Sequence, residues 1–508
     1  MTTVSTAVLL ATAPAQGGGV AADLAWEDTT LVSRLGDQLR ALGIDDVQVL
    51  RRPASPDLAA DLAAVARIAR AAPAGVLVAQ ADVVTQREAL AALLADPRIG
   101  TGVLSSLEGV GAPFAFGQRS DRGRVVSAAS PFHAAGGPTE RFLGLLKVSA
   151  ADTAALAAAA EELAGLVAGG VPAAWEAELE RKRQDWKGEA EAPARLAAAR
   201  EDAVALLATA IVRRGAHVGN ADIRELFWAR PLSAAAARQA AADIGGHDEE
   251  RVLLDSAVKA TDGFFTTFFV SPYSKYIARW AARRGLTPNQ VTVASLALGA
   301  LAAAAFATGH RWGLIAGALL LQVAFTTDCV DGQLARYTRT FSALGAWLDS
   351  TFDRVKEYLV FAGLGIGAAR MGAPVWALAG AALTLQTVRH AFDFSFAAAE
   401  HASMDVAPQA PLAEPSDGPA ARSGAAGTPV PRPAASARVL RAWRRIDRLG
   451  GAVWVKRVVV FPIGERFAVI SITAALFTPR VTFIVVLAWG GVGAVYGLAG
   501  RGLRALAR

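Results

Sequence analysis

From Gln290 onward, apolar runs of about 18–22 residues recur, each long enough for a helix to cross a hydrocarbon layer roughly 30 Å thick, and no run of that length comes earlier. The expected spans are six, near 290–308, 312–331, 343–368, 374–395, 459–478 and 481–499. A mean hydropathy of +0.34 over 508 residues is high for a soluble chain and agrees with this reading.

The N-terminal stretch MTTVSTAVLLATAPAQGGGV has no basic leading region, and its apolar run is too short for a signal peptide. The N-terminal half is therefore expected in the cytoplasm, and six spans return the C-terminus there, in a multi-pass protein of the cell (inner) membrane. The charges agree. The expected outer turns carry Arg311, Arg370 and Arg480, whereas the 396–458 loop carries Arg422, Arg432, Arg438, Arg441, Arg444, Arg445, Arg448, Lys456 and Arg457. Within that loop a Pro/Ala/Gly-rich stretch near 402–437 reads as a disordered linker. The following ARVLRAWRRIDRLGGAVW reads as a basic amphipathic helix lying on an anionic leaflet. The net charge of +6 is thus explained by topology and not by nucleic-acid binding, because the arginines gather around the apolar segments. The one cysteine, Cys329, excludes an internal disulfide framework and a cysteine zinc cluster, leaving oxygen or histidine ligands for any metal.

Ahead of the spans, residues 1–170 alternate strand-like runs (TAVLLATA, DVQVL, AGVLVAQAD, GTGVLSS) with Ala/Leu-rich helical stretches, the pattern of a parallel, Rossmann-like α/β layer fold. Residues 174–250 read as a polar helical extension. The expected division is a cytosolic α/β domain over 1–250 and an all-α, six-helix transmembrane domain over 251–508.

The most apolar third also holds four aspartates. Asp328 and Asp331 are three apart at the end of the second span, and Asp349 and Asp353 are four apart near the start of the third, so each pair shares one helical face. A short basic turn joins the two spans and lets the pairs converge. Four carboxylates in a low-dielectric place need compensation, and oxygen-only ligands favour Mg2+ or Mn2+, ions that also bind phosphate oxygens. Gly332 leaves room for a nucleotide to approach, Ala335 keeps the next turn small, and Arg336 offers a planar charged fork to phosphate.

The order Asp328-x-x-Asp331-Gly332-x-x-Ala335-Arg336, eight residues, then Gly345-x-x-x-Asp349-x-x-x-Asp353 resembles the signature of the CDP-alcohol phosphotransferase (phosphatidyltransferase) family. The resemblance implies six transmembrane helices, usually in a dimer, with a cytoplasm-facing polar cavity. It implies that Asp328, Asp331, Asp349 and Asp353 hold the metal and that Asp353 activates the acceptor hydroxyl. Gly332, Ala335, Arg336 and Gly345 would line the CDP-alcohol pocket. A surface-loop cluster or an ion relay in a transporter would need none of the intervening Gly, Ala and Arg.

The ATDGFF segment before the spans, behind a large α/β domain, most resembles fusions of an inositol-1-phosphate cytidylyltransferase with a di-inositol-phosphate phosphate synthase. The first strand fits a nucleotidyltransferase, but the basic residues of its phosphate loop are missing and Gly17, Gly18 and Gly19 fall late. Asp82 stands where that family keeps a metal-binding aspartate. The domain is read as a degenerate nucleotidyltransferase-like module that has lost catalysis. At the membrane face of the fifth span, Lys456 and Arg457, with Arg466 several residues into the span, are candidates to receive an acceptor's phosphate, and Glu465 lies beside them. The expected reaction joins a CDP-alcohol donor, CDP-diacylglycerol for preference, to a polar alcohol such as inositol phosphate, with a CDP-inositol reaction as the alternative. A membrane-anchored sensor of a nucleotide or sugar phosphate is the non-enzymatic alternative.

Overall fold

The computed structural model describes residues 4–51, 57–110, 115–121, 123–185, 192–223, 226–246, 249–259, 262–402, 410–416 and 452–506. The chain divides into two compact units, Met1–Val252 with Ser403–Val430, and Leu253–Ala402 with Pro431–Arg508.

Unit 1 is built on one eight-stranded sheet. Its strands are β1 (Val4–Ala11), β2 (Asp46–Arg51), β3 (Gly75–Gln80), β4 (Thr101–Ser106), β5 (Gly117–Asp121), β6 (Arg124–Ala128), β7 (Glu140–Val148) and β8 (Val218–Asp222), in the order β2-β1-β3-β7-β4-β8-β6-β5. Strands β3 and β4 are buried along their whole length, because apolar clusters cover both faces. One cluster holds Leu62, Val65, Leu156 and Leu163 from helices α2 (Leu58–Ala71) and α4 (Thr153–Ala168); the other holds Leu35 and Leu39 from α1 (Leu31–Ala41) and Leu90 and Leu93 from α3 (Arg87–Leu94).

Two expectations are corrected here. The sheet is mixed: β1 pairs in parallel with β2 and β3, but β7 runs antiparallel between β3 and β4. A loop, not a helical crossover, leads from β6 to β7, which pairs antiparallel with β5 as well as with β3 and β4, and parallel pairing would have needed a crossover connection. The 174–250 stretch is also more than a polar extension. After α5 (Ala173–Asp185) and α6 (Ala192–Arg200) come α7 (Ala203–Arg213), buried throughout, and β8 inside the sheet. An all-round apolar helix such as AVALLATAI must be covered on every side. Helices α8 (Ala234–Gly245) and α9 (Glu249–Ala257) follow.

Most of the 402–437 stretch, and of the basic segment after it, lies outside the described residues. Residues 410–416 are described, and they take a defined place in unit 1. Leu412 joins its core, its carbonyl accepts bonds from Trp175 Nε1 (3.2 Å) and His133 Nε2 (2.8 Å), and Arg213 Nη1 donates to the carbonyls of Pro411 (3.0 Å) and Glu414 (2.6 Å). A carbonyl only accepts, so His133 Nε2 carries the proton and Nδ1 accepts from Ser130 Oγ at 2.6 Å.

Unit 2 is helical: α10 (Ser271–Arg283), α11 (Pro288–Ala307), α12 (Arg311–Thr338), α13 (Ala343–Arg370), α14 (Trp376–Ala402), α15 (Ala452–Val460), α16 (Ile463–Leu476) and α17 (Pro479–Leu506). Helices α11 and α12, and Pro479–Ala499 of α17, are long and apolar enough to cross a membrane. Trp454–Val460 of α15 and α16 meet the same test as a pair bent by 68°. The break falls at Phe461 and Pro462, where proline excludes helical geometry from the residue before it, and Phe461 takes a φ of 56°. Helices α13 and α14 are as long as α12 but carry charged groups, among them Asp353, Lys356, Glu357 and Arg389. Exposed Leu301, Leu319, Val492 and Val495 give the outer faces the apolar character of a membrane protein. Gly363 and Gly367 of α13 lie so close to the Ala303 and Phe306 carbonyls of α11 that an added Cβ would come within 2.3 and 2.1 Å. Small residues four apart let the two backbones touch, which sets the spacing of the polar groups nearby.

Candidate active site

The site is built from α11, α12 and α13. Asp328 and Asp331, on the last turns of α12, are buried to 8% and 4% exposure. Helix α13 starts at a Ser342 cap, whose Oγ accepts the Gly345 N–H at 2.9 Å, and carries Asp349 and Asp353 about two and three turns further on. A Cβ at Gly345 would meet both Asn289 Oδ1 and Ser342 Oγ at 2.9 Å, so this glycine lets the start of α11 pack against the start of α13.

Asp328, Asp349 and Asp353 each present a carboxylate oxygen, and these three oxygens lie within 4.8 Å of one another. An all-oxygen donor set of this size fits a hard divalent cation. Asp331 is not part of that group; its Oδ2 accepts a 2.6 Å bond from Thr292. Arg336 donates from Nε to the carbonyl of Ala257, and its guanidinium lies against Gly332, 3.4 Å from where a Cβ would stand. Ala335 is half-buried on the same turn.

Four residues at this site escaped the reading of the motif. Thr292 and Ser295 of α11 bond Asp331 and Asp328, the latter at 3.2 Å. Lys356 of α13 has no exposed surface and places its ammonium 2.9 Å from Asp353 Oδ1, 2.9 Å from Ser295 Oγ, and against Asp328. Gly299 makes room for it: an added Cβ would fall 2.8 Å from Lys356 Cγ. The signal was present in the first span, where Thr292, Ser295 and Gly299 recur at helical spacing as a polar and small stripe in an apolar run. The cluster therefore holds a basic group of its own, which offsets part of the carboxylates' charge.

Residues 285–411 match the family model described as CDP-alcohol phosphatidyltransferase. That region is a CDP-alcohol phosphatidyltransferase domain. A bifunctional IPC transferase and DIPP synthase of Rubrobacter xylanophilus is 42% identical over 107 residues, 20% of this chain and 23% of the relative. A phosphatidylinositol phosphate synthase of Mycolicibacterium smegmatis is 38% identical over 92 residues, 18% of this chain and 40% of the relative. The chain thus spans less than half the length of these relatives. Among solved structures, the inositol-1-phosphate CTP transferase of T. maritima aligns with 48% of this chain and 97% of its own at 10% identity and a TM-score of 0.32.

Among the basic residues named for the acceptor, Arg466 and Arg457 have partners other than the convergent carboxylates. Arg466, 6% exposed, pairs with Glu357 through Nε (2.8 Å) and Nη2 (3.3 Å) and donates from Nη1 to the Phe461 carbonyl. A guanidinium held in a buried pair has spent its charge inside the bundle. Arg457 donates to the Asp262 carbonyl at 2.9 Å and lies over the Trp454 ring, and Lys456 beside it is half-buried. Glu465 accepts the Phe265 N–H at 3.2 Å.

In unit 1 Asp82 is 1% exposed and bound by Arg230 through Nε (2.9 Å) and Nη2 (3.2 Å). Nη1 of the same guanidinium donates to Asp202 at 2.8 Å. Gly17, Gly18 and Gly19 all take positive φ in the turn that closes the Pro14–Val20 bridge.

Proposed function

We propose that this chain is an integral-membrane enzyme that moves a phosphoalcohol group from a CDP-alcohol to a hydroxyl acceptor and releases CMP, in phospholipid biosynthesis. The observation that carries this reading is the convergence of Asp328, Asp349 and Asp353 within a matched phosphatidyltransferase domain. The preferred pair is CDP-diacylglycerol with a polar alcohol such as inositol phosphate, which the relative named phosphatidylinositol phosphate synthase favours. A CDP-inositol donor is the second reading, favoured by the relative named IPC transferase and DIPP synthase. The protein would be multi-pass in the cell membrane with six spans, both termini cytoplasmic, acting as a homodimer.

In the transfer, the acceptor oxygen attacks the phosphorus that carries the alcohol. The bond from that phosphorus to the oxygen bridging to CMP breaks, and the electron pair leaves with CMP. Asp328, Asp349 and Asp353, with Asp331 behind them, would hold Mg2+ or Mn2+, which supplies charge neutralisation at the pyrophosphate. The acceptor's proton goes to Asp353, the most accessible member of the Lys356 cluster at 25% side-chain exposure. Lys356 orients that carboxylate while keeping the cluster's charge within bounds. Gly332, Ala335, Arg336 and Gly345 would face the donor, and Lys456 and Arg457 would meet the acceptor's phosphate, while Arg466 is held by Glu357.

The deciding experiment is CMP release by purified protein with Mg2+ or Mn2+, comparing CDP-diacylglycerol plus inositol phosphate with CDP-inositol plus inositol phosphate. Release with the first pair alone supports the preferred reading, release with the second supports the alternative, and release with no CDP-alcohol would overturn both.

A further inference from the structure

Two arginines and a glutamate, each from a different helix of unit 2, fasten one short piece of chain ahead of α10. From α12, Arg336 Nε donates to the Ala257 carbonyl; from α15, Arg457 Nη1 donates to the Asp262 carbonyl at 2.9 Å; from α16, Glu465 Oε1 accepts the Phe265 N–H at 3.2 Å. Between these anchors the Asp262 N–H closes a turn on the Lys259 carbonyl at 3.3 Å. The fit at Glu465 leaves no room for a side chain: a Cβ at Gly263 would fall 2.5 Å from both of its carboxylate oxygens, and a Cβ at Gly464 would fall 2.5 Å from Thr266 Oγ1. Glu465 is 5% exposed, and a carboxylate so buried depends on the N–H groups that it accepts.

This entry segment runs beside the metal-site motif. At one end Arg336 holds Ala257; at the other, the Phe265 ring lies 6.3 Å from that of Phe325, one turn ahead of Asp328. The segment therefore follows the stretch of α12 that carries Asp328 and Asp331, and Lys259 lies between its two anchors. The charges of Lys259 and Arg336 both reach Asp349, and that of Asp262 reaches Cys329. Lys356 is sealed in the bundle against Asp328 and Asp353, but Lys259 is exposed. An ammonium on a flexible stem at the open side of a carboxylate cluster suits a phosphate oxygen, which it meets as a point charge.

We propose that Lys259 is a further residue of the transfer site, meeting the pyrophosphate of the CDP-alcohol, and that Glu465 is the positioning residue that holds its segment there. The inference rests on the transfer reading above, and it gives Glu465 a role toward the donor through the Gly263–Phe265 backbone and none in direct contact with the acceptor.

The test is CMP release by the full-length protein in detergent, with the KM for the CDP-alcohol and for the acceptor measured separately. Lys259→Gln should raise the donor KM about 10-fold, the loss of one charge-assisted hydrogen bond, with a smaller effect on kcat and on the acceptor KM. Glu465→Ala should raise the donor KM in the same way, and Glu465→Gln, which keeps an oxygen to accept the Phe265 N–H, should restore most of it. Gly263→Ala should also raise it, but should add little on top of Glu465→Ala, because the atoms that its Cβ would strike are then gone. A second measurement needs no substrate: tryptic cleavage after Lys259, read by peptide mass spectrometry, should be about 10-fold faster in Glu465→Ala than in wild type and near the wild-type rate in Glu465→Gln. A donor KM unchanged in Lys259→Gln, a loss there that falls on kcat alone, or cleavage unchanged in Glu465→Ala would each overturn the proposal while leaving the transfer reading in place. Absence of CMP release from any CDP-alcohol by wild type would overturn the transfer reading, and this assignment with it.

Discussion

Replacing Lys356 by methionine keeps most of the side chain's length and removes its charge. The ammonium has no exposed surface, lies 2.9 Å from Asp353 Oδ1 and also contacts Asp328, so Lys356→Met leaves two carboxylates facing each other without their counter-charge. Removing one partner of a buried ion pair costs about 3–5 kcal/mol. The 25% exposure of Asp353 lets solvent screen part of this, which favours the lower end of that range. For a domain of this size each kcal/mol moves the melting point by roughly 2–4 °C, so the variant should melt about 6–12 °C lower in EDTA. Cys329 supplies the assay. It is the only cysteine in the chain and packs against the helical core of unit 2, so a thiol-reactive fluorophore reports the melting of that unit alone. Saturating Mg2+ should close most of the gap, because an ion bound to the folded state takes over the charge that the lysine supplied. Melting of Lys356→Met within 2 °C of wild type in EDTA, as an order-of-magnitude bound from the same scaling, would refute the reasoning. So would a deficit that Mg2+ leaves untouched.

Asp349→Asn removes one of the three convergent oxygens and should lower CMP release more than about 100-fold, with the unit 2 melting point in EDTA unchanged or raised; near-normal turnover would dismiss the cluster as the site. Burial pushes His133 down to about 3 from its ordinary 6.5. The folded state therefore binds fewer protons than the unfolded one between those values, so stability falls as pH drops below about 6.5, by about 2 kcal/mol at pH 5. Acid unfolding of unit 1 followed by circular dichroism should show this slope, and His133→Gln should flatten it. Leu412→Ala should destabilise unit 1 by about 2–4 kcal/mol and speed proteolysis of the loop that contains it, whereas a freely disordered loop would be cut at the same rate in both proteins. No pyrophosphate release from CTP is expected with any sugar or inositol phosphate, since Arg230 occupies the carboxylates of Asp82 and Asp202; CTP-dependent release would make the chain bifunctional.

The carboxylate cluster could be read from spacing because its members sit on two helices joined by a short turn, where sequence distance nearly dictates spatial distance. Lys356 could not be read that way. Its i,i+3 partner Asp353 lies on the same helix, but its other partners, Asp328 and Ser295, belong to two other helices. The stripe of Thr292, Ser295 and Gly299 was visible as a pattern, but its meaning depended on which helix faced it. Arg466 illustrates the opposite outcome: an arginine inside a span was a candidate for the acceptor's phosphate, and the fold paired it with Glu357.

What the chain's order of residues determined by itself was local: apolar length sets the helices of unit 2, buried runs set β1, β3 and β4, and Pro462 sets the break between α15 and α16. Each depends on backbone geometry and side chains within a few turns. Tertiary structure alone decided the antiparallel place of β7, the capture of Leu412 by His133 and Trp175, and the pairing of Arg230 with Asp82 and Asp202. These contacts join residues as far as 279 positions apart. Their energy comes from burial and from satisfying polar groups that burial exposes to one another, and neither exists until the distant segments are in place.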